Sequence, residues 1–411
     1  MPTHSGCRIC GHALTRTLVD LGVSPLANSY IREDELGRME PFYPLRAYVC
    51  DHCFLVQLDE FESPEHIFAD YAYFSSFSSD WLDHARRYAD MAIDRFRLND
   101  GSKVVEVASN DGYLLQYFRD KGVPVLGVEP AWSVASVAIE RGIPTRTVFF
   151  DAETSRQLLH AGHGADLLVA NNVLAHVPNL HSFVSGLKTL LKPGGAVTVE
   201  FPHVLHLLDR TQFDTIYHEH FSYFSLRNVE RVFLDHGLLV YDVEELPTHG
   251  GSLRVYGKHE EDDSKPVHPR LQALREKEEQ AGLYRMNAYA SFGDKVAAVK
   301  CDLLEFLVLQ RRAGKQVAGY GAPAKGNTLL NYCGIGPELL PYTVDLNPRK
   351  QGLYLPGSRI PIRRPERIAE TRPDYVLILP WNLRREISQQ LDFVREWGGK
   401  FVVPIPNVEV L

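Results

Sequence analysis

The chain has 411 residues, of which 45% are hydrophobic and 23% charged, and a formal net charge of -8. That length admits two or three domains, and that balance of apolar and charged residues excludes a disordered or coiled-coil protein. The negative charge argues against holding a nucleic acid polymer through the overall field, and no run of about 18 apolar residues offers a membrane span. The opening MPTHSGCRIC lacks a basic region followed by an apolar one, so a cytoplasmic protein is expected.

Four of the six cysteines, Cys7, Cys10, Cys50 and Cys53, form two C-x-x-C pairs; Cys301 and Cys333 stand apart in apolar stretches and are expected in the core. Two tight turns can bring four thiolates to the corners of a tetrahedron, a geometry that Zn2+ accepts without redox chemistry. Gly11, directly after Cys10, gives the first turn its backbone freedom. Four thiolates leave no open coordination position, so the metal is read as structural, although the thiolate set alone also suits an iron-sulfur cluster. His52, inside the second pair, is expected at the surface or behind the ligands. The segment up to about Leu58 is otherwise too poor in long apolar elements to build its own core, the size class in which a metal substitutes for one.

From about Pro64 to Arg97 the pattern is helical, with Trp81, Tyr88 and Met91 as face residues. Strands and helices then alternate: KVVEVAS, a helix through DGYLLQYFRDKG ending at Gly122, VPVLGVEP, ADLLVANNV, a helix through LHSFVSGLKTLLKPGG closed by Gly194 and Gly195, and AVTVEFP. Short apolar strands joined by helices predict a parallel sheet buried on both faces. The first strand runs from Glu106 into a polar turn carrying Ser109, Asn110, Asp111 and Gly112, where backbone amides are available to a ligand. This is not G-x-G-x-x-G, since Ala108 stands where a dinucleotide fingerprint wants glycine and no basic residue awaits a pyrophosphate.

The second strand ends at Glu129, and an L-K-P-G-G turn follows later at Leu191 to Gly195. This ordered set resembles the class I S-adenosylmethionine-dependent methyltransferases. The resemblance implies cofactor contacts from Glu106, Ser109, Asn110, Gly112 and Glu129, and from Asn171 and Asn172 at the end of ADLLVA. Glu129 alone, placed for ribose hydroxyls, suits NAD equally well.

Beyond that sheet, Tyr217, His218, Glu219 and His220 pack phenol, imidazole and carboxylate groups into four consecutive residues. Histidine near its ordinary pKa can take a carbon-bound proton once a neighbouring carbonyl has acidified it, leaving an enolate. H-E-H is too short for the metalloprotease helix motif, and on a strand His218 and His220 would face opposite ways, which disfavours metal binding. A structural histidine-aromatic cluster with Phe221, Tyr223 and Phe224 stays open.

The charged segment KHEEDDSKPVHPRLQALREKEEQAGLY reads as a solvated connector with a surface helix. The α/β rhythm then resumes through KQVAGYGAP, PYTVDLNP, PDYVLILP and KFVVPIP, predicting a second, smaller Rossmann-like domain. Its GYGAPAKGN turn, Gly319 to Asn327, is a glycine-containing cradle for an anion or nucleotide, with Lys325 available to a phosphate, but it is not a Walker loop. A turn shaped only for packing is the alternative.

The C-x-x-C pairs, FADYAYFSSFS, EVASNDGYLL, YHEHFSYFS, THGGSLRV, GYGAPAKGNTLLNY and VDLNPRKQGLYLPGSRIPI together resemble, over nearly the whole chain, the sugar C-methyltransferases that act on nucleotide-activated deoxysugars. The resemblance implies an α/β architecture in three parts: a zinc-binding module over residues 1–64, a class I methyltransferase Rossmann-like domain over 65–250, and a C-terminal Rossmann-like sugar-nucleotide-binding domain over 251–411. It implies S-adenosylmethionine and structural Zn2+ as cofactors, and a dTDP-4-keto-deoxysugar, methylated at C3, as the substrate in making a branched sugar for a natural product such as an antibiotic. In the family's pattern the second histidine of Y-H-E-H is the base, here His220, with Tyr217 and Glu219 orienting the substrate or tuning the base and Tyr71 a further contributor. Two other readings stay open. One is a dinucleotide-dependent sugar-nucleotide oxidoreductase, which the altered loop at Ala108 to Gly112 disfavours; the other is a non-catalytic zinc-bearing interaction protein, which leaves YHEH unexplained. The 3-substituent of the sugar, an amino group among the options, and the oligomeric state are not legible.

Overall fold

The computed structural model describes residues 6–67 and 74–411, and the chain forms two compact units. The first takes in the chain up to Leu14, Cys50–Val204 and Phe221–Arg285; the second takes in Thr15–Val49, Leu205–His220 and Met286–Leu411. Among the described residues, no helix is long and apolar enough to cross a membrane. Tyr71 lies outside the described residues.

The first unit is built on a seven-stranded sheet. Its order is Leu238–Leu246, Ser252–His259, Leu191–Pro202, Ala165–Asn171, Val104–Val107, Val125–Val128, Thr145–Arg146. Counted along the chain this is 6-7-5-4-1-2-3, with the seventh strand antiparallel to both neighbours and the other pairs parallel. The central strands are apolar throughout because alternate side chains point to opposite faces and both faces are covered. Val104, Leu167 and Val169 pack with the helices Ser79–Phe96 and Leu115–Asp120. Val105, Val107, Leu168 and Ala170 pack with Leu180–Leu190 and Leu226–Leu234.

Local chemistry sets the helix ends. Ser78 accepts the Trp81 amide at 3.3 Å and starts Ser79–Phe96, and left-handed Arg97 stops it. Tyr88 is fully buried on that helix, with Trp81 and Met91 partly buried beside it. The LKPGG turn differs from expectation: the helix ends at Leu190, and Leu191 already pairs with Ala165 as the start of a strand.

The charged connector also differs. In the helix Pro269–Gln280, Leu271, Leu274 and Glu278 are buried, and both leucines join the core of the sheet. Glu278 accepts the Leu226 amide at 2.6 Å and the Tyr284 hydroxyl at 2.6 Å, and lies 2.7 Å from His203 Nε2. The dense charge of this stretch sits on one face and masks an apolar face that packs. Ile9 and Leu55, beside the cysteine pairs, enter the same core.

The second unit carries a six-stranded sheet in the order Ile362–Arg363, Thr343–Val344, Val317–Tyr320, Tyr375–Ile378, Lys400–Val403, Glu409–Val410. Counted along the chain this is 3-2-1-4-5-6, parallel apart from the last strand, which is the Rossmann-like arrangement expected from the sequence. An antiparallel pair, Arg16–Ser24 and Tyr43–Val49, packs through its first strand on the helices Phe292–Arg312 and Ala324–Cys333. Cys333 is buried, but Cys301 is exposed, because it falls off the stripe of Val296, Val299, Leu303 and Leu307 that its helix buries.

Candidate functional site

Both C-x-x-C pairs adopt the same turn. The Gly11 amide donates to the Cys7 carbonyl at 2.8 Å and the Phe54 amide to the Cys50 carbonyl at 2.9 Å; both residues are left-handed, at φ 74° and 60°. The four sulphurs lie within 4.8 Å of one another, with Cys7 and Cys53 at 3.3 Å and Cys10 and Cys50 at 3.5 Å. Zinc-sulphur bonds of about 2.3 Å in a tetrahedron separate the sulphurs by about 3.8 Å, so the donor set fits. Hydrogen bonding to Cys53 lowers the Cys7 thiol to about 4, the same bond pushes Cys53 up, and burial pushes Cys10 up to about 11. A dication bound there would hold all four as thiolates. His52 is exposed and stacks on His12 with ring centres 4.0 Å apart.

In the seven-stranded sheet the strand order reverses between Val104–Val107 and Ala165–Asn171, so the crevice outside their carboxyl ends is the natural ligand site. The loop leaving the first strand is left-handed at every second residue: Ala108 at φ 57°, Asn110 at φ 49° and Gly112 at φ 78°. This alternation turns successive amides toward one concave side. Ala108 adopts the conformation at a cost of about 1–2 kcal/mol, so the missing glycine did not abolish the turn.

Several contacts fix the loop. The Asn110 amide donates to Glu129 Oε2 at 3.0 Å, the Ser75 amide donates to Asn110 Oδ1 at 2.9 Å, and Arg141 donates to Asp111 Oδ2 at 3.2 Å. Glu129 also accepts the Ala131 amide at 2.9 Å, and burial pushes its carboxyl up to about 7 against those two bonds. Burial likewise holds Glu106 well above the usual carboxylate range, with the Tyr113 hydroxyl pulling the other way. Ser109 Oγ, Asn171 Oδ1 and both amide atoms of Asn172 are buried without a hydrogen-bond partner among the described residues. Such atoms at a switch point are what a nucleoside cofactor satisfies.

The next strand end is braced by residues that sequence reasoning left without a role. Glu200, fully buried, accepts Arg254 Nη2 at 2.9 Å and the Thr248 hydroxyl at 3.0 Å, and His84 Nε2 lies at 3.0 Å. Burial alone would raise its pKa, but His84 and the Arg254 charge more than offset this and leave it at about 2. The Glu200 carbonyl accepts the Asn172 amide at 2.7 Å. Thr248 and Arg254 both belong to THGGSLRV, which gives that motif its place in the fold.

In the second unit, YHEH is a turn rather than a strand: the His220 amide donates to the Tyr217 carbonyl at 2.8 Å, and the two rings lie 4.0 Å apart. The two histidines do diverge. His218 Nε2 meets the Pro44 carbonyl at 3.2 Å, and burial lowers its pKa; His220 Nδ1 meets the Thr215 carbonyl at 2.9 Å. A carbonyl only accepts, so Nδ1 of His220 carries a proton and the neutral ring has its basic lone pair on Nε2. Glu219 is buried and accepts Asn28 Nδ2 at 2.7 Å; burial pushes its carboxyl up to about 7, with Asn28 and the Lys350 charge pulling it back.

Lys350 Nζ and the Tyr30 hydroxyl both donate to the Ala322 carbonyl, at 2.9 and 2.6 Å. Asn28 and Tyr30 carry no motif of their own, and only the fold brings them beside YHEH. Lys325, expected near a phosphate, donates its Nζ to Asn382 Oδ1 at 2.8 Å and lies 4.7 Å over the Trp381 ring.

Three family models match in order along the chain: one described as "Putative zinc binding domain" over residues 7–68, a methyltransferase domain over 81–243 and a C-methyltransferase C-terminal domain over 247–406. The chain is 38% identical to C-methyltransferase NovU of Streptomyces niveus over 98% of its own length and 96% of that protein's. It belongs to this C-methyltransferase family. A 22% identity to the Ubiquinone biosynthesis O-methyltransferase of Rhodopseudomonas palustris (strain BisA53) covers 32% of this chain and 60% of that one. The solved magnesium protoporphyrin IX methyltransferase (ChlM) from Synechocystis PCC 6803 is similar over 43% of this chain and 82% of its own, at 14% identity and TM-score 0.35. This C-methyltransferase is thus an S-adenosylmethionine-dependent enzyme with a class I Rossmann-like fold and zinc in its N-terminal cysteine cluster.

Proposed function

We propose that this C-methyltransferase methylates C3 of a dTDP-4-keto-deoxysugar, with 3-amino sugars among the candidates, in making a branched deoxysugar for an antibiotic or related natural product. S-Adenosylmethionine supplies the electrophilic methyl group on its sulfonium when bound. Ser109, Asn110 and Gly112 would hold it through the left-handed loop, Glu129 through acceptors for ribose hydroxyls, and Glu106, Asn171 and Asn172 at the adjoining strand ends. The C-terminal Rossmann-like domain would take the nucleotide of the sugar.

The ketone acidifies the neighbouring C–H bond, Nε2 of His220 removes that proton, and the resulting enolate carbon is the nucleophile. Tyr217, its ring tilted against that of His220, orients the substrate. Glu219, whose carboxyl is held near neutrality, can donate a hydrogen bond to the oxygen on which enolate charge develops. Tyr71 is retained as a further contributor. The observation that carries the reading is the Thr215 carbonyl on His220 Nδ1, which leaves Nε2 as the basic nitrogen.

His220→Asn tests it. Methyl transfer from labelled S-adenosylmethionine should fall by at least about 100-fold, while calorimetric binding of S-adenosylhomocysteine stays unchanged. Substantial turnover of the correct sugar by the variant would remove His220 from the role of base.

A further inference from the structure

The base assignment leaves unexplained a buried acid five residues before Glu219. Asp214 is fully buried in the short turn Phe213–Thr215, and its Oδ2 accepts Trp381 Nε1–H at 2.6 Å. Its Oδ1 is buried without a hydrogen-bond partner among the described residues. Burial pushes its carboxyl up, and the Lys325 charge, the Trp381 indole and the backbone amides of Asp214 and Thr215 pull it back, so the acid binds its own turn to Trp381. Trp381 sits just past the strand Tyr375–Ile378, and Lys325 lies over its ring.

The far side of the turn is tied to the helix that follows the strand Val317–Tyr320 of the same sheet. Thr328, on the helix Ala324–Cys333, donates its hydroxyl to the Ile216 carbonyl at 3.1 Å, and Phe213 packs edge-on to Tyr332 of that helix with ring centres 5.3 Å apart. Between these anchors, the Ile216 amide closes on the Phe213 carbonyl at 2.9 Å. The carbonyl presented by this tethered turn is that of Thr215, the acceptor for His220 Nδ1.

We propose that Asp214 and Trp381 are positioning residues that clamp the Phe213–Thr215 turn, so that the Thr215 carbonyl fixes the tautomer and orientation of His220. The inference rests on His220 being the base. The clamp acts on His220 through one backbone carbonyl. A displacement of about 1 Å in such a group can cost on the order of 100-fold in rate, so the effect belongs to kcat rather than to substrate binding.

The test uses the full-length protein labelled with nitrogen-15 histidine. The His220 signal is identified by its loss in His220→Asn, and long-range nitrogen-proton correlation reads its tautomer. Wild type should show the proton on Nδ1. Trp381→Phe and Asp214→Ala should lose that pattern for an exchanging mixture, while Asp214→Asn, which keeps an oxygen acceptor for the indole, should retain it. Thermal unfolding and S-adenosylhomocysteine binding confirm that each variant is folded. Folded Trp381→Phe and Asp214→Ala proteins with an unaltered Nδ1–H signal would overturn the clamp.

A second readout follows deuterium exchange at the carbon beside the ketone of dTDP-4-keto-deoxysugars, with S-adenosylhomocysteine in place of the methyl donor. Exchange in Trp381→Phe should fall by roughly tenfold or more in kcat with little change in KM. Exchange that survives in His220→Asn overturns the base assignment. Exchange lost in His220→Asn but intact in Trp381→Phe overturns the clamp alone.

Discussion

Ala108 and Asn110 hold a left-handed backbone that glycine adopts freely, and the loop tolerates this because Glu129, Ser75 and Arg141 tie it down. Glycine is required nearby for a different reason. A side chain at Gly127 would collide with Ser109 Oγ and meet Thr145 Oγ1 at 3.0 Å. Gly127→Ala should therefore weaken S-adenosylhomocysteine binding by roughly tenfold and lower stability by about 1–3 kcal/mol; an unaltered calorimetric affinity would separate this loop from the cofactor. Glu129 gives a pH signature. Its carboxyl is held up to about 7 in the cofactor-free protein, and ribose hydroxyls donate best to the charged form. S-Adenosylhomocysteine affinity should then rise between about pH 6 and about pH 8, and a flat or falling profile would contradict a ribose contact.

Between elements, the brace that joins the strand Leu191–Pro202 to Ser252–His259 and the helix Ser79–Phe96 turns on Glu200 with Arg254 and His84. The folded pKa of Glu200, about 2, lies below its ordinary 4.5, so its stabilisation is present above about pH 4.5 and is lost as the pH falls toward 2. The shift corresponds to about 3 kcal/mol. Urea unfolding at a series of pH values should find Glu200→Gln less stable than wild type by about that amount at neutral pH, with the gap closing in acid. A gap independent of pH would mean that packing, not charge, sets the role of Glu200. The helix Pro269–Gln280 shows the limit of counting charges: Leu271, Leu274 and Glu278 share a buried face that a like-charge run conceals.

Across the whole molecule, what was legible in the sequence was local. Short apolar strands alternating with helices announced the parallel cores of both sheets, though not their antiparallel strands, and paired cysteines announced the metal cluster, because those signals lie within a few residues of each other. The rest depends on long-range pairing. Thr15–Val49 and Leu205–His220 belong to the same compact unit as the C-terminal sheet, and only that grouping sets Asn28 against Glu219 and Trp381 against Asp214. The handedness of Ala108 was hidden because composition suggests glycine for such a turn, while tertiary contacts can impose it on other residues. The metal cluster should behave as part of the core, since Ile9 and Leu55 pack there. Cys50→Ser should lose zinc by elemental analysis and unfold at lower temperature, whereas full stability without metal would contradict a structural site. The most direct test of the central claim is the position of the transferred methyl group. Carbon-13-labelled S-adenosylmethionine, a panel of dTDP-4-keto-deoxysugars and correlation spectroscopy of the product should place the label on a carbon, at C3 beside the ketone; label on an oxygen or nitrogen would contradict the account.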